Sequence, residues 1–364
     1  MLVVDDSAFM RGAVARLIDS DPRFHVVGQA RDGEEAVRLA AELRPDVISM
    51  DFNMPRMNGA EATRAIMAQR AVGIVMLSAH TQQGATSTLE ALAAGAIDFV
   101  AKPSGEVSAN LSDIRDALLS KLSAAGGANV SALTSRSGLN FQTDMSEAPP
   151  ASASGAARQL TDQRTRRADV SRPMPPGLRV IALASSTGGP AALARVVPRL
   201  DISRAALLIV QHMPEGFTRA LAEQLAQLSS FTVREASGGE QLVEGLALVA
   251  PGGFHLQVER GGVVRLTSGP PVHGVRPAAD VTFKSLAESY GGRALGVVLT
   301  GMGRDGALGL AAIKAAGGRA LSQDQASSVV FGMPRAAAEL GVIDEVVALD
   351  GMAAAIGRHV GATS

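Results

Sequence analysis

The stretch Val47-Ile48-Ser49-Met50-Asp51-Phe52-Asn53-Met54-Pro55 places a carboxylate directly after an apolar, strand-like run. The same arrangement recurs along the first hundred residues, where a polar side chain follows each apolar run. These polar side chains are Asp5 and Asp6, Asp51, Ser78 and Lys102. In parallel α/β sheets, functional groups gather at the edge where the strands end. The pattern therefore predicts a parallel sheet with one polar, reactive edge.

Strand-like and helix-like patterns alternate five times over residues 1–103. Apolar residues recur at helical intervals from Ala8 to Ile18, and again from Gly33 to Leu43, where the pattern stops before Pro45. This alternation predicts a (βα)5 domain, a five-stranded parallel sheet with helices on both faces. We assign residues 1–121 to this domain, which a last helix over about residues 110–124 closes.

The composition changes after this domain. Residues 122–177 are rich in Ala, Ser, Gly, Pro and Arg, and such a segment buries too little apolar surface to offset its ordering entropy. We predict a flexible linker there. From residue 178 the β/α alternation resumes, which predicts a doubly wound, mostly parallel α/β domain over residues 178–362. Within it, residues 253–259 and 263–266 predict a β-hairpin added to the parallel sheet.

The composition also argues against several classes of protein. A formal net charge of −1 does not suit a nucleic-acid surface. The chain has no Cys, which excludes thiol nucleophiles and thiolate metal sites. No apolar run approaches the roughly 20 residues of a membrane span, and residues 1–6 show no signal peptide. We therefore expect a cytoplasmic monomer without membrane insertion.

The first polar cluster predicts a phosphorylatable aspartate. Asp5, Asp6 and Asp51 would converge at one sheet edge, and a hard cation such as Mg²⁺ relieves their repulsion with oxygen ligands. One carboxylate can then act as a nucleophile toward a phosphoryl group, whose oxygens Lys102 and Ser78 would contact. An Asp-Asp pair alone could equally be a helix cap, and it is the combination with the later residues that favours phosphorylation.

Residues 1–120 resemble the receiver domain of response regulators, through residues 2–7, residues 51–59 and Lys102-Pro103. The resemblance implies that Asp51 takes phosphate from a histidine kinase. It implies that Asp5 or Asp6, Asp51 and the carbonyl of Asn53 hold Mg²⁺. It also implies that Phe99 occupies an aromatic switch position, which moves together with Ser78.

A second set of polar residues follows apolar runs in the C-terminal domain. They are Ser186, His212 and Asp305, which come after the runs 180–183, 207–210 and 297–299. Gly188, Gly189 and Pro190 follow Ser186, so that a tight turn leads into a helix whose free N–H groups favour a developing oxyanion. These three residue types could form the nucleophile, base and orienting carboxylate of a hydrolase.

Each of these residues also has a plainer interpretation. Ser185, Ser186 and Thr187 could be helix N-caps, and complete P-loop and GxGxxG patterns are absent. His212 could be a buried structural histidine, although its place at a strand terminus suits a general base better. Asp305 could cap the helix that follows it or coordinate a cation. The chain order Ser, His, Asp and the lack of a GxSxG elbow indicate a lineage separate from the α/β-hydrolases.

Residues 178–360 resemble the catalytic domain of chemotaxis protein-glutamate methylesterases of the CheB type. The matching stretches are residues 185–189, 211–214, 250–252, 299–303, 305–306 and 331–337. The resemblance implies Ser186 as nucleophile, His212 as base and Asp305 as the carboxylate that orients it. It also implies that the Met302 backbone N–H lies in the oxyanion hole and that Thr187 touches substrate.

Three features depart from the family pattern. Glu215 stands where a second Pro is usual, Arg304 replaces a usually smaller residue beside Asp305, and the linker is longer than usual. Arg304 is a cation next to the orienting carboxylate, and it could either shift the electrostatics of that group or point to solvent.

The two resemblances together imply a phosphorylation-activated enzyme of chemotaxis adaptation. It would hydrolyse glutamyl methyl esters on chemoreceptors, release methanol and also deamidate receptor glutamine. Its partners would be a chemotaxis histidine kinase and methyl-accepting chemoreceptors. The receiver would use Mg²⁺, and the esterase reaction would need no cofactor. The receiver would cover the Ser186 edge until phosphorylation of Asp51 weakens that docking.

Two other functions compete with this one. A phospho-dependent binding adaptor with an inactive hydrolase fold is disfavoured by the complete Ser/His/Asp set. A small-ester hydrolase with an unrelated receiver is disfavoured because the sequence lacks an aromatic-rich acyl pocket, having only 3% aromatic residues.

Overall fold

The computed structural model describes residues 1–79, 81–102, 111–134 and 177–361. The strands are β1 (Leu2–Val4), β2 (Gly28–Ala30), β3 (Val47–Asp51), β4 (Gly73–Ala79), β5 (Asp98–Lys102), β6 (Arg179–Ser185), β7 (Ala205–Gln211), β8 (Thr232–Glu235), β9 (Leu246–Val249), β10 (His255–Val258), β11 (Val264–Thr267), β12 (Ala294–Val298), β13 (Arg319–Gln323) and β14 (Glu345–Val347).

The helices are α1 (Ala8–Asp19), α2 (Gly33–Leu43), α3 (Gly59–Gln69), α4 (Gln82–Ala93), α5 (Leu111–Gly126), α6 (Ser131–Thr134), α7 (Gly189–Val196), α8 (Phe217–Leu228), α9 (Ala279–Tyr290), α10 (Ala307–Ala315), α11 (Met333–Glu339) and α12 (Met352–Gly361). In the described part of the chain, no helix is both long and apolar enough to cross a membrane.

The N-terminal domain is the predicted five-stranded parallel sheet, with strand order β2-β1-β3-β4-β5. Local signals begin its helices where the sequence predicts them: the Asp32 side chain accepts a hydrogen bond from the Glu35 N–H at 2.9 Å, and Asn58 and Glu61 form a reciprocal capping box. The central strand β3 is buried along its whole length. Because all neighbours run parallel, Asp5, Asp51 and Lys102 emerge at the same sheet edge.

The C-terminal domain is built on a seven-stranded parallel sheet with order β14-β13-β12-β6-β7-β9-β8. Chain order reverses between β6 and β12, which makes this position the topological switch point where such sheets hold their ligands. Strands β6 and β7 are almost entirely buried, which fits their continuous apolar sequence and helices on both faces. The α/β prediction for both domains is confirmed.

Three details of the C-terminal domain differ from the prediction. The hairpin β10–β11 forms a two-stranded sheet of its own instead of extending the parallel sheet. The edge strands β8 and β14 and the last helix α12 were not predicted. The edge strands have only four and three residues, so they carry too few alternations to give a sequence pattern.

The predicted linker also begins later than the sequence suggested. Helix α5 continues to Gly126, and a short helix α6 follows within the segment assigned to the linker. The reason is burial: Leu122, Ala125 and Ala132 are buried in a cluster that also contains Val329 of the C-terminal domain. An alanine-rich segment resembles a linker in composition, but alanine has the highest helix propensity, and such a segment forms a helix where it can pack against other residues. Pro103 and residues 135–176 of the predicted linker lie outside the described residues.

The two domains pack against each other through α4 and β5 of the first domain and α7 and α8 of the second. Phe99 on β5 stacks on Phe217 at the start of α8, with ring centroids 4.4 Å apart and an interplanar angle of 24°. Asn129 adds a backbone bond from its N–H to the Val329 carbonyl at 2.9 Å. One hydrophobic cluster therefore continues from the first sheet into the second.

Candidate active site

Three loops at the switch point of the second sheet bring Ser186, His212 and Asp305 to one cavity. Ser186 follows β6, His212 follows the adjacent β7, and Asp305 lies in the loop after β12 on the other side of β6. The cavity has a volume of about 330 Å³, and Thr187 and Met302 also line it. The residues that the sequence analysis grouped as a hydrolase centre thus share one pocket.

The imidazole of His212 is fixed by Asp305. Its Nε2 lies 2.8 Å from the Asp305 Oδ2, and both side chains are almost fully buried. The bond occupies Nε2, so that Nδ1 is the nitrogen available to a third group. A buried carboxylate bonded to an imidazole selects one tautomer and stabilises the imidazolium that forms when the ring accepts a proton.

Asp305 is itself held by the first turn of α9. Its Oδ2 accepts a hydrogen bond from the Ala279 N–H at 2.5 Å, and its Oδ1 accepts one from the Asp280 N–H at 3.0 Å. Burial opposes the charged form of this group, but the bonds from His212 and the two backbone N–H groups outweigh burial and lower the pKa of Asp305. The carboxylate is therefore ionised at neutral pH, at a helix end that favours negative charge.

The hydroxyl of Ser186 is unoccupied by hydrogen bonds within the described residues. The N-cap of α7 is Gly188, with a φ of 77° and no side-chain cap, so Ser186 and Thr187 are not capping residues. The Gln211 side chain bonds the Ser186 carbonyl at 3.0 Å and fixes the turn. Gly301 matters here because a Cβ at that position would overlap Met333 and approach the Ser186 Cβ at 2.9 Å.

Asp305 does not cap α10 either, since the N-cap there is Gly306 and no side chain bonds the helix end. The other plain interpretation was a cation site. His273, Asp280 and Asp305 do lie close enough to share an ion. However, Asp280 accepts hydrogen bonds from His273 at 2.8 Å and from the Gly309 N–H at 2.7 Å, while both oxygens of Asp305 are bonded as described. These groups form a hydrogen-bonded network.

Met302 and Arg304 flank this centre on the loop after β12. No described residue accepts a hydrogen bond from the Met302 N–H, which leaves this donor available at the cavity wall. Arg304 is exposed and lines the cavity, and no described residue forms an ion pair with it. It therefore does not pair with Asp305, whose charge is balanced by His212 and backbone donors.

The carboxylates of the first domain form a separate acidic site. Ligand oxygens of Asp5, Asp6 and Asp51 all lie within 4.8 Å of one another. The Lys102 Nζ lies 3.0 Å from the Asp5 Oδ2 and 2.8 Å from the Asp51 Oδ1. Burial raises the pKa of Asp51 to about 6, with Lys102 opposing the rise and the Asp5 carboxylate adding to it.

This acidic site suits a hard divalent cation. Three carboxylates lie close together, and the pKa of Asp51 is raised because burial destabilises its negative charge. Mg²⁺ prefers a few carboxylate ligands supplemented by water. Asp5, Asp6 and Asp51 would be its side-chain ligands, and Asn53 lies two residues beyond β3 in the loop beside them.

Ser78 has other partners in this structure. It is buried at the end of β4, donates to the Gly84 carbonyl at 3.1 Å and accepts from the Thr88 hydroxyl at 2.5 Å. Both partners belong to α4, which packs against α7 and α8 of the second domain. The predicted switch serine is therefore connected to the helix at the domain interface.

The first domain contacts the loop that carries Ser186 directly through Asp98 on β5. The Thr187 hydroxyl, one residue after Ser186, donates to the Asp98 Oδ2 at 2.5 Å, and the bond is buried. The other carboxylate oxygen accepts from the Lys121 Nζ at 2.7 Å and from the Phe99 N–H at 2.8 Å. The Gly188 N–H adds a bond to the Ile97 carbonyl at 3.1 Å.

Comparison with known proteins agrees with this geometry. The profile of the response regulator receiver domain matches residues 1–111, and the profile of the CheB methylesterase matches residues 181–356. A protein-glutamate methylesterase/protein-glutamine glutaminase from Symbiobacterium thermophilum is 46% identical over 99% of this chain and 97% of its own length. The protein of the same name from Pyrococcus abyssi is 43% identical over 99% and 93%.

The chain belongs to the CheB methylesterase family. Among solved structures, the catalytic domain of the CheB methylesterase from Thermotoga maritima is 38% identical, and the match covers 49% of this chain and 96% of that one with a TM-score of 0.48. The two family profiles fall on the two sheets described above.

Several residues around the candidate catalytic centre were not predicted from the sequence. Asp98 and Lys121 gave no signal because their partners lie in the other domain or in another element. His273 and Asp280 are paired at 2.8 Å, but neither follows a strand end of the parallel sheet, where the predicted site residues lie. A search for isolated charged residues inside apolar runs would have found Asp98, which precedes Phe99-Val100.

The acidic site of this CheB-family chain leads to a prediction about cation binding. Asp51→Asn removes one carboxylate ligand, so we expect Mg²⁺ to bind at least ~10-fold more weakly, by analogy with the loss of groups that support metal ligands. Isothermal titration calorimetry measures the affinity. Asp46→Asn is the control because Asp46 is exposed at the opposite end of β3. Equal affinities in both variants and the parent protein would contradict the site.

Proposed function

We propose that this protein hydrolyses glutamyl methyl esters on chemoreceptors, and that phosphorylation of its receiver domain activates it. The observation that carries the proposal is the His212–Asp305 pair at 2.8 Å in the same cavity as the unbonded Ser186 hydroxyl. Membership of the CheB methylesterase family supports the substrate class. The relatives' names also support deamidation of protein glutamine at the same centre.

In the first half of the reaction, Ser186 attacks the ester carbonyl while His212 accepts the hydroxyl proton. Asp305 keeps the ring in the tautomer whose Nδ1 is free, and it stabilises the imidazolium. The Met302 N–H is a donor for the oxyanion that develops on the carbonyl oxygen. Collapse of the tetrahedral intermediate transfers the proton from His212 to the leaving methoxide, and methanol departs.

In the second half, water attacks the acyl-enzyme and gives its proton to His212. The Ser186–acyl bond then breaks, the proton returns to the serine, and a glutamate carboxylate is released. A glutamine side chain would follow the same route, with ammonia as the leaving group in place of methanol. No cofactor takes part in these steps, since the nucleophile, the base and the oxyanion donor are all protein groups.

The domain contacts support regulation by the receiver. Asp98 takes the hydrogen bond of Thr187 immediately beside Ser186, so a substrate that needs the Thr187 hydroxyl must displace the receiver. Phe99, at the expected aromatic switch position, stacks on Phe217 of the catalytic domain. Phosphoryl transfer from a histidine kinase to Asp51, with Mg²⁺ neutralising the acidic site, would change Lys102 contacts at the end of β5.

Small changes at this interface are enough to shift its population. A charged hydrogen bond contributes ~1.5–3 kcal/mol and an aromatic stack ~0.5–1.5 kcal/mol. Each ~1.4 kcal/mol changes a two-state equilibrium tenfold. Release of the Asp98 and Phe99 contacts would therefore move most molecules from a covered to an accessible active site.

The first test of the proposal concerns the nucleophile. Ser186→Ala removes the attacking oxygen, so we expect methanol release from a methylated receptor to fall by about 10⁴-fold or more. Ser203→Ala, on the exposed loop before β7, is the control and should keep the parent rate. Circular dichroism and thermal unfolding verify that both variants fold. Turnover by a folded Ser186→Ala protein would show that another residue is the nucleophile.

The second test concerns the phosphorylation site. A small-molecule phosphodonor with Mg²⁺ should stimulate methanol release by the parent protein, and Asp51→Asn should lose this stimulation because the acceptor carboxylate is gone. The ratio of stimulated to unstimulated rates is the quantity to measure. Asp46→Asn should keep the parent ratio. Stimulation that persists in Asp51→Asn would place the acceptor elsewhere.

The third test concerns the domain contact. Asp98→Asn weakens the charged bonds to Thr187 and Lys121, so we expect the unstimulated rate to rise several-fold, up to about tenfold. Asp116→Asn on the exposed side of α5 should leave that rate unchanged, since this carboxylate is 95% exposed. An unstimulated rate that stays at the parent value in Asp98→Asn would contradict restraint of the active site through this bond.

A further inference from the structure

The walls of the active-site cavity carry more positive charge than the rest of the molecule would suggest. Within the described residues, and besides His212, the cavity is lined by four cationic or potentially cationic side chains, Lys121, His273, Arg276 and Arg304. Its single acidic lining residue is Asp305. The whole chain has a formal net charge of −1, so the excess of positive charge at the cavity is not a consequence of a generally basic composition.

Two of the four basic side chains are already paired. The Lys121 Nζ lies 2.7 Å from the Asp98 Oδ1 and donates to the Phe99 carbonyl at the same distance. His273 bonds the buried Asp280 at 2.8 Å. Asp305, the one acidic group among the described lining residues, accepts hydrogen bonds from His212 and from two backbone N–H groups. These contacts leave the two arginines as the cations to explain.

Arg276 and Arg304 have no carboxylate partner among the described residues. The Arg276 Nη1 donates to the carbonyls of Ser268 and Gly269, which anchors its guanidinium at the cavity wall. Arg304 is exposed and stands between Met302 and Asp305 in sequence, beside the expected oxyanion donor. Other arginines near this region differ, because Arg335 lies 3.8 Å from Glu339 and Arg23 pairs with Asp21 at 2.7 Å.

The ester group itself cannot account for these cations. A methyl ester is neutral, and the oxyanion formed during attack is a single charge that a backbone N–H can stabilise. Two guanidinium groups at the wall of one cavity match additional carboxylates. The exposed Arg304 can bind a carboxylate through two parallel hydrogen bonds, whereas Arg276, whose Nη1 already donates to two carbonyls, contributes mainly its positive charge.

We propose that Arg276 and Arg304 select substrate segments in which acidic residues flank the methylated glutamate. This inference rests on the proposed esterase function and adds a specificity determinant to it. The arginines bind the flanking carboxylates, and this contact holds the ester carbonyl near Ser186. The consequence is a preference for acidic segments that is separate from the chemistry of the ester.

Two synthetic peptides test the proposal. They share one sequence with a single glutamyl methyl ester, and its acidic neighbours are Glu in one peptide and Gln in the other. The full-length protein is assayed for methanol release with phosphodonor and Mg²⁺ held constant. We expect kcat/KM to be about tenfold higher for the Glu peptide, which corresponds to ~1.4 kcal/mol. The preference should decrease as ionic strength rises, because salt screens partly exposed charges.

The variants then locate the preference. Arg304→Gln should bring the ratio of the two kcat/KM values toward one, and Arg304→Lys should keep a larger part of it because the charge remains. Arg335→Gln is the matched control, since it removes the same charge from a paired arginine nearby, and it should keep the parent ratio. Arg276→Gln should lower the ratio as well. Because Arg276 also bonds the carbonyls of Ser268 and Gly269, thermal unfolding is used to check that this variant remains folded.

The outcomes separate this inference from the function on which it rests. Methanol release from neither peptide by the parent protein would contradict the esterase proposal itself. Release from both peptides with a ratio of one would overturn the role of the arginines while leaving the esterase intact. A parent ratio that is retained in both Arg304→Gln and Arg276→Gln would also overturn it. So would an equal loss of rate on both peptides, because that result would indicate that the arginines contact the reacting group instead.

Discussion

The Asp98 carboxylate is the contact on which the relation between the two domains depends. It lies on the last strand of the receiver, yet one oxygen accepts the Thr187 hydroxyl beside Ser186 and the other accepts Lys121. The bond from Thr187 is buried, so solvent screens it little, and removal of that hydroxyl would leave a buried carboxylate oxygen without its hydrogen-bond donor. Because Asp98 adjoins Phe99, the same strand end carries both the polar and the aromatic contact with the catalytic domain. A displacement of β5 would therefore loosen both contacts together.

In the catalytic domain the corresponding constraint is the ionisation of the buried Asp305. This carboxylate must stay ionised while it is buried, and the first turn of α9 achieves this with two backbone N–H groups. Those donors belong to a helix whose other face packs in the core, with Phe283 fully buried. The position of Asp305, and through it the His212 ring, is thus set by the packing of α9. Side chains alone would define the ring less well, since a backbone donor in a packed helix has no rotamer freedom.

The sequence was sufficient for the parts of this structure that follow from strand ends. Ser186, His212 and Asp305 could be grouped before any coordinates because each follows a buried parallel strand, and parallel strands end at one edge. Asp98 could not be found in this way, since its role depends on a surface contributed by another domain. The hairpin β10–β11 was predicted but assigned to the wrong sheet, because alternation of apolar and polar residues indicates a strand but not which strands it pairs with. The last helix of the first domain was predicted almost to its observed end, but the short helix α6 was missed, since its buried Ala132 shares a cluster with Val329 of the other domain.

The two carboxylates at the centres of the two domains differ in their surroundings, and this difference fits the different roles proposed for them. Asp305 accepts two backbone donors and an imidazole, so its pKa is lowered and it remains a fixed negative charge. Asp51 is also buried, and burial raises its pKa to about 6; the neighbouring Asp5 carboxylate adds to the rise, and Lys102 opposes it. A carboxylate whose charge is poorly compensated gains most from a metal ion and from esterification by a phosphoryl group. A carboxylate that is fully compensated gains nothing from either and serves to hold another group in place.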